Sequence, residues 1–440
     1  MLLNQHNESL RQFRVFSLSD KFVCPKRLPP LSLEDIECRC LKPVSPSYDD
    51  QDNEEDDMEM FVRVLIRANS ETLRSLSLGR EAEVLLSNYT ASVHRDKDDD
   101  EVLGALCLED TLLRLSSLKI VGLNVSPAQS DYFSKSIELS LLRNLTIESC
   151  PGSATLIRQL GAAVITDGLA EPGGLALKEF TFRHEAPDSL LMGALEAFLS
   201  RISPLTHLSV LLDNTDTMPR VSRFIARHGA TLKSLVWSGR HSRPGYQDCS
   251  LSLGNIRDPT SELTAILENC TKLIELSVAW DWCDLNMGDD PTSSLARRGA
   301  GFLKQMGRRT LHIRNSPAWM NHYGLERLTR ALVTKLLDYC LDFESDGVDT
   351  HFDPRLELVI VGPLSYSQKW ELQHSNTYDI ETGKIHELWH VGNRPTFFKV
   401  GYTKVFGVHT YAVMQEELTT ISSIQDRFEA RVLDSVWMIE

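Results

Sequence analysis

The sequence has no long apolar run, no Cys-X-X-Cys pair and no excess of positive charge. No stretch approaches about eighteen uncharged apolar residues, which predicts that no helix spans a membrane. The nine cysteines include no Cys-X-X-Cys pair, so we expect reduced, mostly buried thiols in a cytoplasmic or nuclear protein. The formal net charge of -15 argues against nucleic acids and acidic membranes as partners.

Common catalytic signatures are missing as well. The chain contains neither G-x-G-x-x-G nor G-x-x-x-x-G-K-S/T, the glycine-rich turns that bind phosphate groups. It also lacks G-x-S-x-G, the turn that presents a nucleophilic serine in many hydrolases. We therefore predict no cofactor and, from these motifs, no enzymatic activity.

A recurring apolar spacing, L-x-x-L-x-L with other large apolar residues allowed, is the main positive signal. From Leu118 to Leu145 is 27 residues, and from Phe180 to Leu208 is 28. Both steps fall within the period of about 20–29 residues that is typical of leucine-rich repeats. The matches are Phe13/Phe16/Leu18, Leu28/Leu31/Leu33, Leu73/Leu76/Leu78, Leu115/Leu118/Ile120, Leu142/Leu145/Ile147, Leu177/Phe180/Phe182, Leu205/Leu208/Val210, Leu232/Leu235/Trp237, Leu273/Leu276/Val278, and the degraded copies Leu311/Ile313 and Leu356/Leu358/Ile360.

The segments between these strands have apolar residues at helical spacing, namely residues 153–165, 189–203, 261–270 and 323–342. Short strands that alternate with helices predict an α/β fold. The interpretation that we favour is a leucine-rich-repeat-like solenoid with a parallel sheet on its concave side. The alternative is a doubly wound α/β domain, although its usual glycine-rich turn is absent.

The pattern predicts an irregular solenoid over residues 1–363, with acidic loop insertions near 43–58 and 93–101. Residues 364–440 differ and are interpreted as a small α+β cap or appended domain. There, we predict a hairpin within 376–392, further strand within 396–414 and a helix within 416–436. A cap of this kind would cover the apolar face of the last repeat.

One motif suggests metal chemistry. His386, Glu387 and His390 form H-E-x-x-H, which on a helix places two histidines one turn apart as zinc ligands beside a general base. However, Gly383 and Gly392 bound the segment as they would bound a hairpin strand. A zinc-dependent hydrolase with His386 and His390 as metal ligands therefore stays an alternative prediction, and the preferred interpretation has no metal site.

The predicted concave face supplies the preferred binding surface. Outward positions between the inward apolar pairs are mostly small hydroxyl residues, a composition that simply fills a crowded sheet. Larger charged groups are scattered among them and are candidates for binding a protein partner. These candidates are Glu148, Arg183, His207, Glu275 and Arg314.

Four segments, ETLRSLSLGR, LLRNLTIESC, SPLTHLSVLLDN and CTKLIELSVAW, resemble the irregular leucine-rich repeats of fungal F-box proteins. The resemblance covers roughly residues 10–363 at the level of pattern. It implies a substrate receptor whose repeats select a protein for a cullin ubiquitin ligase. No F-box-like segment with a Leu-Pro opening and a helical apolar run is found. We therefore expect either that the module is absent or that the chain is a piece of a longer product, and binding of the ligase adaptor is uncertain.

These observations predict a non-enzymatic protein-binding module without cofactors, which recognises its partner on the concave face of the repeat array. The zinc hydrolase at residues 386–390 is the runner-up.

Overall fold

The protein is described from a computed structural model. The chain divides into two compact units, Met1–Thr231 and Leu232–Glu440. The structure describes residues 11–15, 32–38, 57–79, 112–125, 136–166, 175–213, 215, 218–240, 262–280, 310–314, 334, 357–361, 373–378, 385–390, 396–405 and 408–416.

In the described part of the first unit, seven parallel strands form a sheet and are paired in the order in which they occur along the chain. Because parallel neighbours cannot be joined by tight turns, each connection has to leave the sheet and return. The strands are β1 Gln12–Val15, β2 Asp35–Cys38, β3 Ser75–Gly79, β4 Ser117–Val121, β5 Asn144–Glu148, β6 Glu179–His184 and β7 His207–Asp213.

Helices occupy several of these connections: α1 Asp57–Ala68 after β2, α2 Ser153–Thr166 after β5, α3 Ser189–Leu199 after β6 and α4 Ile225–His228 after β7. The carboxylate of Asp188 caps α3 by accepting a hydrogen bond from Leu191 N–H at 2.7 Å. The predicted helices at 153–165 and 189–203 are confirmed. The α/β class, with parallel strands alternating with helices, is confirmed too.

The core of the first unit follows from the alternation of residues along each strand. Inward residues form two rows that run across the sheet in register, and the helices cover them. The ring of Phe180 on β6, for example, lies 5.1 Å from that of Phe198 on α3. The buried members of the two rows are Ile36, Leu76, Leu118, Leu145, Phe180 and Leu208, and Cys38, Leu78, Ile120, Ile147, Phe182 and Val210.

Buried polar side chains at helix ends tie each helix back to the segment that leads into the strand before it. Asn69, just after α1, accepts a hydrogen bond from Leu33 N–H at 3.0 Å and donates one to Leu65 O at 2.8 Å. His228, at the end of α4, accepts from Leu205 N–H at 3.1 Å and donates to Leu199 O at 2.8 Å. In both places the side chain forms hydrogen bonds with backbone groups that have no partner within the helix or the strand.

Two sequence predictions of strand register in the first unit were wrong. The motif around β2 is Leu33/Ile36/Cys38, since Ile36 pairs with Leu76, and not Leu28/Leu31/Leu33. Prolines at positions 29 and 30 lack the N–H that a strand needs, which explains why the strand begins later. Phe13 pairs with Ile36 and takes the middle position of its motif rather than the first. Phe13/Val15 and Phe16/Leu18 have equal spacing, so periodicity could not choose between them.

Helix α1 begins at Asp57, so the predicted acidic loop near 43–58 was wrong for its last two residues. Its earlier part and the loop near 93–101 lie outside the described residues. Three cysteines in the part of the chain that the structure describes, Cys38, Cys150 and Cys270, are buried free thiols as predicted. No helix among the described residues is long and apolar enough to cross a membrane.

The second unit also contains parallel strands in chain order. β8 Ser234–Arg240 is followed by α5 Glu262–Asn269, β9 Glu275–Val278, β10 Thr310–Ile313 and β11 Leu358–Val361. The helix predicted at 261–270 is confirmed, whereas the one at 323–342 lies outside the described residues apart from Thr334. Val359, not Leu358, pairs with Leu311, so the predicted Leu356/Leu358/Ile360 motif was out of register by one residue.

Antiparallel strands complete the second unit. β12 Gln373–Tyr378 and β13 Ile385–His390 form the hairpin predicted within 376–392. β14 Thr396–Val405 and β15 Val408–Glu416 form a second hairpin, and β14 also pairs with β11. The predicted strand at 396–414 is confirmed. The helix predicted at 416–436 lies outside the described residues, and a domain boundary at residue 364 stays a prediction.

Candidate functional site

The outward residues of β1–β7 form a polar surface that we call the open face. Ser77, Lys119, Thr146, Thr181 and Ser209 align across five strands, as predicted, and all are half-buried. Short hydroxyl side chains at these positions lose little conformational entropy when they are covered. Apart from Lys119, the centre of the open face is therefore a row of small groups, over which another chain could lie closely.

Ion pairs and one histidine–carboxylate contact between neighbouring strands fix most of the larger side chains of the open face. Arg14 Nε lies 3.3 Å from Glu37 Oε2, and Lys119 Nζ lies 3.2 Å from Glu148 Oε1. His207 Nδ1 lies 3.6 Å from Glu179 Oε1 and 2.9 Å from Thr206 Oγ1. Each pair is worth about 1 kcal/mol or less near the surface, so its main effect is to hold the side chains in place.

A second group of polar residues, the strand-end cluster, lies where β5, β6 and β7 end; it comprises Ser149, Arg183, Glu185 and Asp213. Arg183 binds two carboxylates, Glu185 at 3.4 Å and Asp213 at 3.5 Å. The Ser149 hydroxyl donates to Glu185. Burial raises the pKa of Glu185 above its ordinary value, while Arg183 and the Ser149 hydroxyl act in the opposite direction.

Two members of the strand-end cluster, Glu185 and Asp213, occupy the position that follows L-x-x-L-x-L by three residues. Leucine-rich repeats commonly have Asn or Cys at this position. Cys150 fits that rule, because its buried thiol donates to Glu148 O at 3.2 Å and Ile120 O at 3.6 Å. In the next two strands the same position holds Glu185 and Asp213. Two carboxylates thus replace a residue type whose usual role is structural.

Ser149 has an unusual backbone conformation. Its φ is 55°, the left-handed region, and no other non-glycine residue in the described ranges has a positive φ. The equivalent residue after β4 is Gly122, with φ 65°, which adopts this conformation without a steric cost. A serine in this conformation costs about 1–2 kcal/mol of conformational free energy relative to glycine, and the hydrogen bond from its hydroxyl to Glu185 offsets that cost.

We predict that Ser149→Ala lowers the free energy of unfolding by about 2 kcal/mol, because it loses the hydrogen bond between the hydroxyl and Glu185. The strained backbone remains in this variant, so nothing offsets the loss. Ser149→Gly should lose less than about 1 kcal/mol, since it relieves the strain. Hydrogen exchange of amides in β5 and β6 measures both variants, with Thr146→Ala as the control on the same strand. Equal losses for alanine and glycine would contradict the assignment of strain at Ser149.

Two reactive residue types beside the cluster have structural roles. Burial raises the pKa of the Cys150 thiol to about 12, so it is a poor nucleophile. Burial lowers the pKa of His184 to about 4. The His184 ring accepts from Ala186 N–H at 3.1 Å, bonds to the Cys150 backbone and stacks on Phe182 at 6.3 Å. Both ring nitrogens are therefore used within the fold.

The five predicted binding residues are divided between the two units. Glu148, Arg183 and His207 lie on the open face of the first unit. Glu275 and Arg314 belong to the second unit, where Glu275 is half-buried and Arg314 is only 8% exposed. Arg314 donates to Ser277 Oγ at 3.4 Å, and that oxygen lies 2.8 Å from His312 Nδ1. Arg314 is thus engaged within the fold, and the assignment of the five residues to a binding site stays a prediction.

The outward row of the second unit is buried throughout: Val236, Ser277, His312 and Ile360. Ser277 and His312 line a cavity of about 20 Å³, which has room for about one water molecule. A serine next to a histidine resembles a nucleophile with its base, but a substrate needs far more space. This pair is thus a satisfied polar contact within the fold.

The H-E-x-x-H motif lies on strand β13, where His386 pairs with Thr377 and His390 with Gln373. Four residues along a strand span about 13 Å, compared with about 6 Å along a helix. The helical geometry that would place His386 and His390 as adjacent zinc ligands is therefore not present. Among the described residues, no group of three or more His, Cys, Asp or Glu side chains is placed to hold a metal ion.

Comparison with known proteins gives no independent assignment. No family model matches the chain, and no curated protein is significantly similar to it. The functional interpretation therefore depends on the open face and the strand-end cluster alone.

Sequence reasoning missed Ser149, Glu185 and Asp213. The signal was available, because extending each L-x-x-L-x-L motif by three residues aligns Cys150, Glu185 and Asp213 in one column. Two acids after a cysteine in that column are a departure from the repeat pattern. The contact between Ser149 and Glu185 links neighbouring strands and needs the structure to be seen.

Proposed function

We propose that the chain is a leucine-rich-repeat-type solenoid that binds a protein partner on the open face of the first unit and catalyses no reaction. The observation that supports this most directly is the contrast between the two units. The outward row is half-buried and polar in the first unit, and fully buried in the second. A polar sheet face can be exposed to water without a desolvation penalty. Small hydroxyl side chains, together with larger side chains that are held by ion pairs, form a flat, preorganised surface.

Preorganisation matters because ordering long side chains during binding costs about 0.5–1.5 kcal/mol each. On the open face, Lys119 and Arg183 are already held by carboxylates on their own or the next strand. In the F-box proteins that the sequence resembles, the repeats select the substrate of a cullin ubiquitin ligase. A role as such a substrate receptor is the narrower form of this proposal.

A photo-crosslinking amino acid at Thr181, in the middle of the open face, tests the proposal. We expect it to capture a specific protein from extracts of cells that express the chain. The same group at Ala197, exposed on helix α3, is the matched control and should not capture that protein. The captured protein is then purified, and its affinity is measured for Thr181→Arg and Ala197→Arg.

Steric blocking at Thr181 should weaken binding at least about tenfold, whereas Ala197→Arg should leave it within about twofold. Equal affinity of the two variants, or a capture pattern that is the same from both positions, would remove the open face as the binding surface.

A further inference from the structure

The charges of the open face and its strand-end cluster are unequal in number. Among the described residues of this surface, the carboxylates exceed the Lys and Arg side chains by three. The cations are Arg14, Lys119 and Arg183, and the carboxylates are Asp35, Glu37, Glu148, Glu179, Glu185 and Asp213. The carboxylates are spread from β2 to β7 and form no single cluster. A partner that lies over the whole surface would meet all of them.

Each cation of the open face has a carboxylate within 3.5 Å, and Arg183 has two. The positive charges of this surface are thus offset locally, and its carboxylates remain in excess. Burial raises the pKa of Glu185, so this carboxylate lies in surroundings where an additional positive charge would stabilise its ionised form. Arg183 and Asp213 are the charged groups that act on it.

The dimensions of the surface fit an extended peptide. Six parallel strands, β2 to β7, span about 24 Å at about 4.8 Å per strand. An extended chain of about seven residues covers that distance. The central row of Ser and Thr side chains gives such a chain hydroxyl groups to hydrogen-bond, with carboxylates on either side.

We propose that the partner segment recognised on the open face is an extended stretch of protein rich in Lys or Arg. This inference depends on the proposed function, and it adds the chemistry of the partner. Electrostatic complementarity of this kind selects partners and speeds their association more than it adds raw affinity.

The probe is a fluorescent nine-residue peptide of alternating Arg and Ser, compared with peptides in which Glu or Gln replaces Arg. We expect the Arg peptide alone to bind the full chain, as measured by fluorescence anisotropy, and to weaken as salt rises from about 0.05 M to about 0.3 M. Thr181→Lys should weaken the Arg peptide at least about tenfold. The matched control Ala197→Lys adds the same charge on α3 and should change it by less than about twofold.

Carboxylate removal gives a second comparison at equal net charge. Glu185→Gln with Asp213→Asn should weaken the Arg peptide at least about tenfold, whereas Glu71→Gln with Glu268→Gln, two exposed acids that are not among the residues of the open face, should not. Circular dichroism checks that each variant is folded. Because Thr181 is half-exposed, Thr181→Lys still decides the outcome if the cluster variant fails to fold.

Equal weakening by face and control variants would show that the Arg peptide responds only to the overall charge of -15, and would overturn the inference. Binding of the Glu peptide would overturn it as well. If the Arg peptide fails to bind while the crosslinker at Thr181 still captures a partner, the cationic partner is wrong and the binding function stands. Failure of both experiments rejects both proposals.

Discussion

Replacing Phe180 by alanine should lower the free energy of unfolding of the first unit by about 3–5 kcal/mol. The Phe180 side chain is completely buried, and its ring contacts those of Phe182 at 6.1 Å and Phe198 at 5.1 Å. Truncation removes apolar area from the core and leaves a cavity between β6 and α3, and both effects destabilise the folded state. Phe180→Leu should cost less, since it fills part of that cavity.

Hydrogen exchange of peptides within residues 175–213 measures this loss. All seven tryptophans follow residue 231, so tryptophan fluorescence observes the second unit and cannot replace it. The control is Thr181→Ala, the next residue on the same strand, which points to the open face and should change stability by less than about 0.5 kcal/mol. Similar losses for the two variants would contradict the alternation of inward and outward residues on β6.

That alternation is also the part of the fold that the sequence predicts best. From Leu73 to Val210, every L-x-x-L-x-L motif has its last two apolar residues on the inward face. A side-chain period of two and one buried face leave no freedom of register, because a shift of one residue would expose the whole apolar set. Leu145 and Ile147 on β5 are typical examples.

Alternation does not fix the register of a strand whose consecutive residues are all apolar. It also does not show whether the outward residues of a sheet are exposed or covered. Leu358, Val359 and Ile360 are all buried, so alternation does not identify the residue that pairs with Leu311. The outward row of the second unit, including Ser277 and His312, contains residue types that occur on both solvent-exposed and covered sheet faces. What lies over a sheet is a matter of tertiary contact, which periodicity along one strand does not encode.

The site was predictable only in part. Glu148, Arg183 and His207 were identified because an outward charge on a strand is visible in the sequence. The bond between Ser149 and Glu185 joins residues 36 positions apart, and it depends on a left-handed backbone at a position where β4 has glycine. Local preferences disfavour serine in that conformation, so sequence rules would have assigned it elsewhere.

Acidification should destabilise the first unit through two buried histidines. Burial lowers the pKa of His184 to about 4, from an ordinary value of 6.5, and lowers that of His228 as well. The unfolded chain therefore binds protons before the folded chain does. The stabilisation is fully present above about pH 6.5 and is lost as the pH falls toward about 4. His184 alone accounts for roughly 3 kcal/mol across this window.

Glu185 acts in the opposite direction, because burial raises its pKa. Its folded form takes up a proton at a higher pH than the unfolded form does, which favours folding as the pH falls. Glu185→Gln should therefore make the acid-induced loss steeper, and His184→Gln should make it shallower. Hydrogen exchange within residues 175–213, corrected at each pH for the intrinsic exchange rate, measures the free energy of unfolding of the wild type and the two variants. Parallel curves for wild type and His184→Gln would show that His184 is not the titrating group, because glutamine cannot take up a proton in this window.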